Sequence, residues 1–112
     1  MSVNLLNEVL SSVHRELERV IGSVLVEMIL YGSFARGDFD CESDIDIAVI
    51  VNKDRREIKT YQRRLLSFIS EISLEYDILV SINYIPLSDF EEYKNVLPYY
   101  RNIDHEGVRI AA

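Results

Sequence analysis

The chain has 112 residues, 48% of them apolar, and 12 basic against 19 acidic residues give a net charge of −7. That length suits one domain with its own core and not two, so residues 1–112 are expected to form a single domain. The acidic balance argues against broad contact with a nucleic-acid backbone, which needs a basic footprint, and a single cysteine, Cys41, excludes an internal disulfide.

Glu8, His14, Arg15, Glu16, Glu18 and Arg19 give the first twenty residues a charge density foreign to a secretory signal. No apolar run approaches membrane-spanning length. A soluble cytoplasmic protein is the expectation. Leu5, Leu6, Val9, Leu10, Val13, Leu17, Val20 and Ile21 recur at three- and four-residue intervals, which predicts an amphipathic helix from Asn4, as cap, to Ile21. Val24–Tyr31 is short, β-branched and nearly continuous in apolar character, as in a buried strand. Gly32 ends it, Ser33–Gly37 has room for one helical turn, and Asp38–Ser43 has loop composition.

A second strand is predicted at Asp44–Val51, with Ile45, Ile47, Val49 and Val51 on one face and Asp44, Asp46, Ala48 and Ile50 on the other. Helical spacing returns from Asp54 to about Glu75, where Lys53, Arg55, Arg56, Lys59, Arg63 and Arg64 crowd the first half. That basic run is read as a solvated face, with an acidic partner or RNA as the alternative. Tyr76–Ile85 reads as a third strand stopped by Pro86. Ser88 and Glu91 resemble a capping box opening a short helix to Asn95. Pro98 opens a last helix closed by Gly107. Tyr99 and Tyr100 there are read as packing residues, with contact to a base or a partner as the alternative.

Strand, long helix and strand make a βαβ unit, whose strands run parallel. Asp44, Asp46 and Asp77 are thereby expected at one edge of the sheet. Paired carboxylates two residues apart repel unless a cation neutralises them, and one or two magnesium ions suit such oxygen donors. Gly32 and Ser33 at a helix start offer N–H and O–H groups to anionic phosphate, with Arg36 one turn on. Cys41 is read as a free thiol, since magnesium prefers oxygen. Ser33 is not read as a covalent nucleophile, because His14 and His105 are far off along the chain.

The run G-S-F-A-R-G, six residues, then S-D-I-D, spanning Gly32 to Asp46, resembles the signature of the minimal nucleotidyltransferase (MNT) branch of the DNA polymerase beta-like superfamily. The resemblance covers roughly residues 1–86 and implies an α/β fold, a small mixed sheet with flanking helices. It also implies that Gly32, Ser33 and Arg36 bind the nucleotide, and that Asp44, Asp46 and Asp77 are catalytic and bind Mg2+, with Glu75 the alternative to Asp77. By the same resemblance, AMP would pass from ATP to a hydroxyl, a tyrosine, of a HEPN-domain toxin, making the chain an antitoxin. The alternatives are a binding-only antitoxin that blocks its partner sterically, and transfer to a small molecule.

Overall fold

Ser2, not Asn4, starts the first helix in the computed structural model, which describes residues 1–110. The Ser2 hydroxyl accepts from Leu5 N–H at 3.1 Å and caps α1, Val3–Ile21. Val9, Leu10, Val13, Leu17, Val20 and Ile21 form its buried stripe, as the spacing predicts. A 3-10 turn, Gly22–Val24, leads into β1, Leu25–Tyr31. One helical turn follows, α2, Ser33–Arg36, then a loop, then β2, Ile45–Val51.

Asp54 caps the long helix α3, Arg55–Tyr76, its carboxylate accepting from Glu57 N–H at 2.9 Å. β3, Val80–Pro86, comes next, followed by α4, Leu87–Tyr93, α5, Pro98–Glu106, and β4, Val108–Ile110. The four strands form one mixed sheet in the order β3-β2-β1-β4. β2 and β3 run parallel, as the βαβ reading requires, while β1 is antiparallel to both β2 and β4. This is the expected α/β architecture.

Three expectations are corrected. β3 starts at Val80 and not Tyr76, because α3 continues to Tyr76 and Asp77 closes it in the left-handed conformation (φ 51°, ψ 45°). Ile78 N–H then donates to Ser73 O at 3.1 Å, and the Ser73 hydroxyl accepts from Val80 N–H at 3.1 Å, so the chain turns before it extends. Ser88 does not cap α4, which begins directly after Pro86 without a side-chain cap and ends before Asn95. β4 was not legible: it is three residues long and its Val108 and Arg109 are exposed.

The sheet's two faces are unequally covered. α1 and α3 close one face over a large cluster that includes Leu17, Met28, Ile45, Ile47, Val49 and Leu65. On the other face a smaller cluster, Ile29, Ala48, Ile50, Ile85, Phe90 and Ile103, lies beneath α4 and α5. The alternation read in β2 is the alternation observed, and it sends Asp46 to the less covered face. Among the described residues no helix is long and apolar enough to cross a membrane.

Candidate functional site

Gly32 ends β1 and opens α2 with φ +75°, a conformation that L side chains rarely adopt. A Cβ at this position would also overlap Asp46 Oδ2 and sit 3.3 Å from Asp46 Cγ. Backbone conformation and space therefore both require glycine. The sequence motif thus corresponds to a physical contact: the glycine–serine turn and the second carboxylate of D-x-D occupy one place. Ser33 is the first residue of α2, and in so short a helix the leading N–H groups have no partner within the helix. The Gly32 carbonyl accepts from Ala35 and Arg36 N–H at 3.1 Å each, and the Ser33 carbonyl accepts from Gly37 N–H at 2.9 Å.

The loop after α2 is held at several points. Phe34 and Phe39 stack with centroids 4.5 Å apart, and Asp40 and Ser43 bond across a turn, Glu42 N–H donating to Asp40 Oδ1 at 2.9 Å. Arg36 Nε lies 3.3 Å from Asp38 Oδ2. Asp44 is the last loop residue and Asp46 the second of β2.

Asp46 sits opposite Tyr31 of β1 and Ser81 of β3. Burial is the main reason that its carboxyl holds its proton more tightly than an ordinary aspartate. The Asp44 charge adds to the effect, and Arg36 opposes it. A pair of close carboxylates with only partial compensation fits a hard divalent cation. Magnesium in particular is held by one or two carboxylates together with water and substrate phosphate.

Asp77 is placed differently from the expectation. It is the exposed C-cap of α3 and lines a cavity of about 380 Å3 with Asp40, Cys41 and Asp44, on the helical side of the loop. Gly32, Ser33 and Asp46 are not among the residues of that cavity. Among the described residues no three His, Cys, Asp or Glu side chains gather closely enough to hold one metal ion. Asp44 thus neighbours Asp46 on one side and shares a cavity with Asp77 on the other, without the three gathering at one point. The extra turn of α3 holds Asp77 three residues ahead of β3. Glu75 lies within that helix.

The fold brings up residues that the motif did not suggest. Tyr31, Ser81 and Asn83 share the Asp46 face, as the register pairs Asp46 with Tyr31 and Ser81 and pairs Ala48 with Asn83. Tyr99 of α5 reaches over them: its hydroxyl is 2.8 Å from that of Tyr31 and accepts from Asn83 Nδ2 at 2.8 Å. Burial first, then the Tyr99 hydrogen bond, raises the proton affinity of the Tyr31 hydroxyl, and the Asp46 charge adds to it. The polar positions of β3 were a usable signal for Ser81 and Asn83. Nothing local pointed to Tyr99, which comes from far along the chain.

The chain is similar to known proteins in sequence and in fold. A family model described as nucleotidyltransferase domain matches residues 10–110. A Methanocaldococcus jannaschii protein named putative protein adenylyltransferase MJ0141 is 36% identical over 74 residues, 66% of this chain and 73% of that protein. Among solved structures, a mutant of the toxin–antitoxin pair MntA–HpeT aligns with TM-score 0.52 and 16% identity, covering 89% of this chain and 70% of that one. The likeness at that identity concerns the fold.

Proposed function

Because the chain belongs to the nucleotidyltransferase domain family, we propose that it transfers AMP from ATP to a hydroxyl of a protein partner, a tyrosine of a HEPN-domain toxin. The acceptor oxygen attacks the α-phosphorus, the bond from that phosphorus to the bridging oxygen breaks, and pyrophosphate leaves. The hydroxyl proton passes to a carboxylate at this edge of the sheet.

The observation that carries the reading is the contact between Gly32 and the Asp46 carboxylate. A triphosphate lying on the Gly32-Ser33 turn meets that carboxylate at once. Asp44 and Asp46 would hold magnesium, which when bound neutralises phosphate charge and orients the leaving group. Ser33 and the leading N–H groups of α2 bind phosphate, and Arg36 exchanges its exposed Asp38 partner for it. Asp77 contributes as a further carboxylate on the cavity that Asp40 and Asp44 also line.

The name of the Methanocaldococcus relative supports a protein as acceptor, and the toxin–antitoxin title of the structural neighbour supports an antitoxin role. Labelled ATP, magnesium and the protein encoded beside this chain test it. Label should pass to the partner with wild type and fail to pass with Asp44→Ala plus Asp46→Ala; equal labelling by that variant rejects the proposal.

One observation favours a second reading. Among the described residues no three carboxylates gather as one metal site, which suits an antitoxin that neutralises its partner by binding alone. Under that reading the double variant protects cells as well as wild type does.

A further inference from the structure

The outward side of α3 carries a pattern that the core does not use. Ile58, Leu65 and Ile72 face inward, against α1 and the sheet. Opposite them Arg56, Lys59, Arg63, Leu66, Ser70 and Leu74 recur at three- and four-residue steps, the C-cap Asp77 follows three residues on, and all are exposed. Leu66 is 64% and Leu74 82% exposed, so two leucines one turn either side of Ser70 stand almost free of protein contact.

The charges along the stripe are separated. Its N-terminal half is cationic and its C-terminal end carries Asp77, and among the described residues none of Arg56, Lys59, Arg63 and Asp77 forms an ion pair. Two copies of this helix laid antiparallel, with Ser70 on the two-fold axis, match one another. Leu66 then lies opposite Leu74 and Arg63 opposite Asp77, each pair occurring twice. The serine at the crossing lets the backbones approach, as small residues do between packed helices. A self-complementary face of this kind closes as a dimer without leaving a free end.

We propose that the outer face of α3 is a two-fold docking surface for a second copy of this chain, centred on Ser70 and registered by Arg63 against Asp77. The pairing includes two exposed ion pairs, so the dimer weakens with salt. The pairing also has a consequence for the cavity that Asp77 shares with Asp40 and Asp44. Arg63 of the partner subunit arrives at its wall and offsets part of the acidic charge there. The proposal is independent of the acceptor and of the reaction.

Cysteine cross-linking tests the register on the full chain, in a Cys41→Ser background because Cys41 is the only native thiol. With oxidised glutathione as oxidant, Ser70→Cys should convert to a species of twice the 13.0 kDa chain mass. Gln62→Cys should stay monomeric, since its two copies lie about 24 Å apart at 1.5 Å per residue along antiparallel helices. Without cross-links, sedimentation of Leu74→Glu and of Arg63→Glu should shift to monomer, and adding Asp77→Lys to Arg63→Glu should restore the dimer. Equal cross-linking at both positions overturns the proposal. So does a wild type monomeric at every concentration, or an α3 face protected only when a different protein is added.

Discussion

The two faces of the sheet do different work with nearly the same kind of strand residues. On the α1–α3 face, Ile45, Ile47, Val49 and Val51 are all fully buried, and two long helices cover the strands from end to end. On the other face the same strand offers Asp46, Ala48 and Ile50, and the helical cover begins only beyond the carboxylate. Side-chain alternation along one strand thus puts the candidate carboxylate on one face and an unbroken aliphatic row on the other. Under the proposed function, substitution on the closed face should cost folding, and substitution of Asp46 at the open end of the other face should cost reaction.

Substitutions on the two faces should therefore part company, and the largest difference is expected at Asp46. Asp46→Asn should lower transfer or nucleotide turnover by about 10³-fold, in line with the loss of a principal electrostatic group in an active site, while far-UV circular dichroism stays unchanged. A variant that kept activity within tenfold would break the division between the faces.

Leu17→Ala is the counterpart on the closed face. It removes a fully buried side chain and should cost about 3 kcal/mol in denaturant unfolding. Turnover per folded molecule should be unchanged at a temperature where the variant is native. Gly32→Ala lies at the boundary and should affect both properties. Its positive φ costs about 1–2 kcal/mol, and the methyl displaces the Asp46 carboxylate, so activity falls by more than stability alone explains. Tyr99→Phe removes a hydroxyl bonded to Tyr31 and Asn83 and should cost about 1 kcal/mol.

The smallest effect concerns pH. Burial and Asp44 raise the proton affinity of Asp46, so the folded state binds that proton more tightly than the unfolded chain does. The resulting destabilisation is absent below the unfolded value of 3.8 and grows as pH rises through the folded value. At neutral pH without divalent cations Asp46→Asn should melt above wild type. Magnesium should narrow that gap, and thermal melts at pH 4 and pH 7 measure it.

Much of the fold was legible because its signals are local. The 3.6-residue stripes of α1 and α3 and the alternation in β2 follow from what each element buries. The parallel pairing of β2 and β3 follows from the crossover between them. β4 escaped because three residues, two of them exposed, carry no periodicity. Asp77 was misplaced because Tyr76-Asp77-Ile78 has strand composition, whereas the helix that precedes it sets where the chain can turn. Half of the candidate site was legible in the same way: Gly32, Ser33, Asp44 and Asp46 lie close in sequence. Tyr99, Asn83 and Ser81 join it only through β-sheet register and the return of α5, and no spacing rule reaches that far.

The central claim is that the Gly32-Ser33 turn and Asp46 form one seat for a metal-bound triphosphate. Calorimetric titration with ATP tests it directly, in the presence and absence of magnesium, for wild type and Asp46→Asn. Saturable binding by wild type that requires magnesium, and at least a tenfold weaker affinity in the variant, is the predicted result. Equal binding with and without magnesium, unaffected by the substitution, would contradict the claim.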